Sequence, residues 1–131
     1  MVTPLPISAP RPRVLIVDDD ATIGKALHRL LRRTHDVELA SDGQEALAAI
    51  RGGQRFNAIV SDVAMPLMTG IELFEHLARE VPEQARHFVF LTGGVQGPVA
   101  RKLRQTGAPQ LEKPVDISAL RDTIAQLADS T

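Results

Sequence analysis

The chain has 131 residues, a mass of 14.2 kDa and a net charge of −1 from 15 basic and 16 acidic side chains, which excludes the strongly basic footprint of a protein that grips a phosphate backbone; no direct nucleic-acid partner is expected. Hydrophobic residues make up 44% and charged residues 24%, the composition of one ordinary globular domain whose folding hides roughly two-thirds of the unfolded surface. The absence of cysteine excludes a disulfide framework, a thiolate nucleophile and a Cys-based zinc site, and the longest aliphatic run, Val14 to Val17, is far too short to span a membrane, so the expected location is the cytoplasm.

In chain order, residues 1–12 carry Pro4, Pro6, Pro10 and Pro12, which block regular backbone hydrogen bonding. This stretch reads as a proline-rich tail or linker stub, without the apolar core of a secretory signal, and the domain is expected over 13–131. Val14-Leu15-Ile16-Val17 is continuously apolar, as a parallel strand covered on both faces should be. Ile23, Ala26, Leu27, Leu30 and Leu31 then follow the stripe of an amphipathic first helix. Val37 to Ala40, broken by Glu38, reads as an outer strand. A second helix is expected from about Gly43 to Arg51, with Ser41 and Gln44 as a capping box, Ala46, Leu47 and Ile50 buried, and Gly52-Gly53 as its stop. Ala58-Ile59-Val60 is a central strand. The third helix opens on the capping box of Thr69 and Glu72, buries Ile71, Phe74, Leu77 and Ala78, and stops before Pro82. Phe88 to Leu91 is another central strand. A fourth helix from about Pro98 to Gln105 has only Val99, Ala100 and Leu103 as apolar anchors, and so should be the least firmly held. Pro109 to Glu112 reads as an outer strand, and Ile117, Leu120, Ile124, Leu127 and Ala128 line the face of a fifth helix.

Five strands alternating with five helices imply an α/β fold with a doubly wound five-stranded parallel sheet, whose chemistry gathers at the carboxyl ends of the strands. Four polar groups fall there: Asp18-Asp19-Asp20 after the first strand, Asp62 after the third, Thr92 with Gly93-Gly94 after the fourth, and Lys113-Pro114 after the fifth. Clustered carboxylates repel one another unless a cation neutralises them. Mg2+ favours such oxygen ligands and pairs carboxylates with phosphate oxygens. A further carboxylate can then attack phosphorus while a lysine and a hydroxyl meet the charge on the phosphoryl oxygens. Taken singly, three aspartates read as a helix cap, Asp62 and Thr92 as turn residues and Lys113 as a surface lysine; taken together at one sheet edge they read as a site. His28, His35, His76 and His87 show no paired ligand spacing and read as surface or capping residues.

The motifs Val14-Leu15-Ile16-Val17-Asp18-Asp19, Ile59-Val60-Ser61-Asp62-Val63-Ala64-Met65-Pro66 reaching Gly70, Leu91-Thr92-Gly93 and Glu112-Lys113-Pro114 resemble, in order and spacing, the response-regulator receiver family of two-component signalling. The resemblance covers Arg13 to Ala128. It implies a flavodoxin-like (βα)5 fold with strand order 2-1-3-4-5. It also implies Asp62 as phosphoacceptor, Thr92 and Lys113 as the groups that meet the phosphoryl charge, and Mg2+ held by Asp18, Asp19, Asp62 and the backbone carbonyl of Ala64. Asp20 has no role in that pattern and reads as a helix cap. The donor implied is a sensor histidine kinase or a histidine phosphotransfer domain. The module would promote its own phosphorylation and dephosphorylation without turning over a separate substrate, as a monomer or weak dimer, toward an output partner the residues do not name.

One departure from the family pattern stands out. The position three before the lysine, usually aromatic, is Gln110, and the chain has no tyrosine or tryptophan; the coupling in which that aromatic follows the hydroxyl is absent or altered. Ala64 and Gly94, which flank the water path in receivers, cannot orient a water by hydrogen bonding. The phrasing around Thr92 and Lys113 also resembles receivers at the carboxyl end of hybrid sensor kinases. Two alternatives remain open: a receiver fold that works as a phosphorylation-independent scaffold, and a haloacid-dehalogenase-like phosphatase in which Asp18 of Asp18-Asp19-Asp20-Ala21-Thr22 is the nucleophile.

Overall fold

The computed structural model describes residues 11–129. Each apolar run becomes a strand: β1 (Arg13–Val17), β2 (Asp36–Ala40), β3 (Ala58–Asp62), β4 (Phe88–Thr92) and β5 (Gln110–Glu112). The helices are α1 (Ala21–Leu31), α2 (Gly43–Arg51), α3 (Gly70–Glu80), α4 (Pro82–Ala85), α5 (Gly97–Thr106) and α6 (Ile117–Ala128). All strands pair in parallel in the order β2-β1-β3-β4-β5, which is the doubly wound order expected.

Because strand side chains alternate between faces, each of the central strands β1, β3 and β4 feeds two cores. Val14 and Ile16 of β1, Ala58 and Val60 of β3, and Val89 and Leu91 of β4 pack under α1 and α6. Leu15, Val17, Ile59, Phe88 and Phe90 pack under α2, α3 and α5. With helices on both sides the central strands have no wet face, which is why they read as unbroken apolar runs. The helices run back against the strands, so the chain enters β1 and leaves α6 at the same, amino edge of the sheet.

Several details differ from the reading of the sequence. There are six helices among the described residues, because Pro82 ends α3 and then occupies the first turn of a four-residue helix, α4. The cap of α2 is Asp42, whose side chain accepts from Glu45 N at 2.7 Å, while Ser41 Oγ donates to the Glu45 carboxylate. The buried face of α1 centres on Gly24, Leu27 and Leu31; Ala26 is exposed and Leu30 is 48% exposed. In α3 Leu73 is buried and Ala78 exposed. In α5 only Leu103 is buried, and Val99 stands 42% exposed. His35 is buried at the turn into β2, with Nδ1 2.8 Å from Thr34 Oγ1. The expected tail lies outside the described residues up to residue 10. Of its last two residues, Arg11 donates to the Arg32 and His35 carbonyls, and the Pro12 carbonyl accepts from Asp36 N at 2.9 Å.

Candidate functional site

The carboxyl edge of the sheet collects the polar residues because each sits at, or one step past, the end of a buried strand. Asp62 is the last residue of β3 and Thr92 the last of β4; Asp18 follows β1 and Lys113 follows β5. Backbone bonds continue the ladder past the strand ends, from Asp18 N to the Ala40 carbonyl at 3.1 Å and from Lys113 N to the Thr92 carbonyl at 2.8 Å. The rigid sheet therefore sets where these side chains start. Glycines and caps set how the chain leaves it: Asp20 caps α1 by accepting from Thr22 N, and Thr69 and Glu72 form the expected capping box of α3.

Asp18, Asp19 and Asp62 each offer a carboxylate oxygen, and the three oxygens lie within 4.8 Å of one another. Lys113 Nζ stands 3.1 Å from Asp62 Oδ1 and 3.8 Å from Asp18 Oδ2. Asp18 is buried, Asp62 nearly so, and Asp19 exposed. Asp18 Oδ1 accepts from Asp20 N at 2.8 Å, whereas its Oδ2 is buried with no hydrogen-bond partner. Burial pushes the Asp18 carboxyl above the ordinary carboxylate range; the Asp20 N–H pulls it down, Asp62 pushes it up, Lys113 lowers it and Asp19 raises it. A buried oxygen left without a donor, beside two further carboxylates, is what a hard divalent cation satisfies. The donor set is all oxygen, so the residues fit such an ion.

Thr92 is buried and Ala64 exposed. Gly94 is exposed with φ +77°, and nothing lies within 4 Å of where its side chain would be. Gln110 opens β5 opposite Phe90 and is exposed. The sequence reading missed Ser61, a buried hydroxyl one residue before Asp62; the available signal was a polar residue inside an apolar run.

Sheet order 2-1-3-4-5 reverses between β1 and β3, and the acids stand on those two strands. That combination defines a class, the doubly wound α/β proteins whose chemistry sits where strand order reverses. The sequence model of the response regulator receiver domain matches residues 14–125. The chain belongs to the response-regulator receiver family of two-component signalling, whose general role is to accept a phosphoryl group. A response regulator receiver protein from Anaeromyxobacter sp. (strain Fw109-5) is 38% identical over 112 residues, covering 84% of this chain and 46% of that protein. The sensory/regulatory protein RpfC of Xanthomonas campestris pv. campestris is 31% identical over 122 residues, 91% of this chain and 17% of that protein. The chain thus spans less than half the length of these two curated relatives. The crystal structure of a CheY-like receiver domain protein from Methanospirillum hungatei JF-1 matches with a TM-score of 0.81 at 30% identity, covering 90% of this chain and 94% of that one. Receiver domains are generally non-enzymatic signalling modules that receive phosphoryl groups from histidine kinases or phosphotransfer domains. The match over residues 14–125 leaves the phosphatase reading of Asp18 without support. No helix among the described residues is long and apolar enough to cross a membrane.

Proposed function

We propose that this chain accepts a phosphoryl group on Asp62 from a phosphohistidine of a sensor kinase or phosphotransfer domain. The observation that carries the reading is the Asp62 carboxylate held 3.1 Å from Lys113 Nζ, inside a cluster of three carboxylates of which one oxygen is buried and unpartnered. An Asp62 oxygen attacks phosphorus; the O–P bond forms as the P–N bond to imidazole breaks, and the imidazole keeps the electron pair and takes a proton from water. Lys113 pairs with the phosphoryl oxygens, and the Thr92 hydroxyl at the end of the adjacent strand donates to one of them. Asp18, Asp19, Asp62 and the Ala64 carbonyl would hold Mg2+, which when bound would offset the negative charge of the carboxylates and the phosphoryl group. The exposed Ala64 and Gly94 leave the acyl phosphate open to water and to partners but give no group that orients a water.

Incubation with Mg2+ and acetyl phosphate is expected to add one phosphoryl group to the protein and none to Asp62→Asn, followed by intact mass. Equal labelling of the two proteins would remove Asp62 from the role. A second reading, a scaffold indifferent to phosphorylation, is favoured by Gln110 where receivers usually carry an aromatic. It predicts that backbone NMR shifts outside the site stay fixed when the acceptor is phosphorylated.

A further inference from the structure

Ser61 is fully buried in β3, next to Asp62 and paired across the sheet with Val17 of β1 and Phe90 of β4. The pairing of β3 with β1 ends at Ser61, opposite Val17, so the Asp62 carbonyl lies beyond that ladder. There the Ser61 hydroxyl supplies the donor, bonding the Asp62 carbonyl oxygen at 2.9 Å. Gly70, the first residue of α3, closes on the same oxygen. A Cβ on Gly70 would overlap the Asp62 carbonyl oxygen and lie 3.2 Å from Ser61 Oγ, and Gly70 N donates to the Val63 carbonyl at 2.8 Å. The peptide that joins Asp62 to Val63 is therefore gripped by a hydroxyl before it and a side-chain-free residue after it.

We infer that Ser61 is a positioning residue for phosphoryl transfer: with Gly70 it fixes the Asp62–Val63 peptide, and so aims the Asp62 carboxylate and the Ala64 carbonyl two residues on. The inference rests on Asp62 being the acceptor. An in-line attack is sensitive to the placement of the attacking oxygen on the scale of an ångström. A buried carbonyl deprived of its donor turns toward another one, and the carboxylate on the same residue turns with it. In an apolar strand an alanine would serve the core as well as serine does; the hydroxyl is used only by the acceptor's own backbone.

The test measures labelling by acetyl phosphate at saturating Mg2+, at a temperature where every variant is fully folded, so that the rate constant per folded molecule reports the site and not stability. Ser61→Ala is expected to slow labelling about tenfold while still reaching one phosphoryl group per chain. Ser61→Thr, which keeps the donor, should stay within about threefold of wild type, and Gly70→Ala, which pushes on the same oxygen, should slow labelling at least as much as Ser61→Ala. A Ser61→Ala protein that melts earlier but labels at the wild-type rate would show the hydroxyl to be merely structural and would overturn the inference. So would a Ser61→Thr protein as slow as Ser61→Ala, since space and not the bond would then be the cause. Failure of the acceptor reading is seen separately: it requires that wild type does not label or that Asp62→Asn does, and it takes the inference with it.

Discussion

Asp18 and Asp19 are adjacent in sequence and meet opposite surroundings. Asp18 points into the protein, with one oxygen bonded to Asp20 N and the other without a hydrogen-bond donor, Lys113 Nζ standing 3.8 Å away; Asp19 faces solvent at the rim of the same cluster. Replacing both by alanine is expected to abolish Mg2+ binding and to leave the ion-free domain at least as stable, by about 1 kcal/mol, because a buried oxygen without a donor and its repulsion by Asp62 both disappear. Magnesium titration by NMR and thermal melting without the ion check the two halves. Undiminished affinity would remove these residues from the ligand set, and a large loss of stability would show that the Asp18 bond to Asp20 N outweighs the repulsion. The gathering of Asp18 and Asp19 with Asp62 at one sheet edge was legible in the sequence, as was Asp20 as the cap of α1. The split between Asp18 and Asp19 was not, since it depends on which way the chain turns after Val17. Ser61 escaped notice for the same reason: whether a lone serine in a strand bonds its neighbour or merely fills space is decided by the approach of Gly70, nine residues later and on another element.

At the level of elements, α4 is the part that sequence periodicity could not supply, since four residues make no repeat. Its anchor is Gln84, buried, whose Oε1 accepts from Phe56 N at 2.9 Å and whose Nε2 donates to the Phe56 carbonyl at 3.1 Å. Gln84→Ala strands a buried N–H and a buried carbonyl together and is expected to cost about 2–4 kcal/mol, read from urea denaturation; a cost below half of that would mean water replaces the amide. The pair joining α2 to α3 carries a pH dependence. Arg51 binds the Glu80 carboxylate with two bonds of 2.7 Å, and this pairing, helped by His76, holds Glu80 down at about 2 from an ordinary 4.5. A depressed acid stabilises the fold above its ordinary range and loses that contribution as pH falls through the folded value. Wild type is therefore expected to melt above Glu80→Gln at pH 6 by a small margin, the pair being exposed and screened, and the two curves should meet near pH 2; a gap that persists there would assign the difference to packing. Strands were legible because both their faces are covered. Helix faces were less so, because a stripe of five apolar residues is wider than the sheet can bury, and Leu30 is left outside.

For the molecule as a whole, the core under α2, α3 and α5 holds its helices unequally. α3 buries Ile71, Leu73 and Leu77 and is closed by a full capping box, whereas α5 buries Leu103 alone, has no side-chain cap, is reached through Gly93 and Gly94, and opens on Gly97. Beside it runs a cleft of about 610 Å³ lined by Val63, Ala64, Ile71, Val95 and Val99 among others, so α5 has room to shift. Amide hydrogens of α5 are expected to exchange at least about tenfold faster than those of α3, and phosphorylation should change exchange in α5 and the loop before it while leaving β5, which carries Gln110 in place of a ring, unaltered. Equal protection of the two helices would refute the first part, and a response confined to β5 the second. The sheet order was legible through the family resemblance; the looseness of α5 was legible in outline from its thin apolar stripe.

Both ends of the described domain lie at the amino edge, since β1 starts there and α6 returns to it, while the aspartates and Lys113 stand at the opposite edge. The point at which a neighbouring domain would attach, before Arg13 or after Ala128, thereby lies about a strand length from the acid cluster. Gene fusion at either end asks only for a tolerable linker and no matched interface, so evolution can wire the same domain into regulators of different length and domain order without touching the acid cluster.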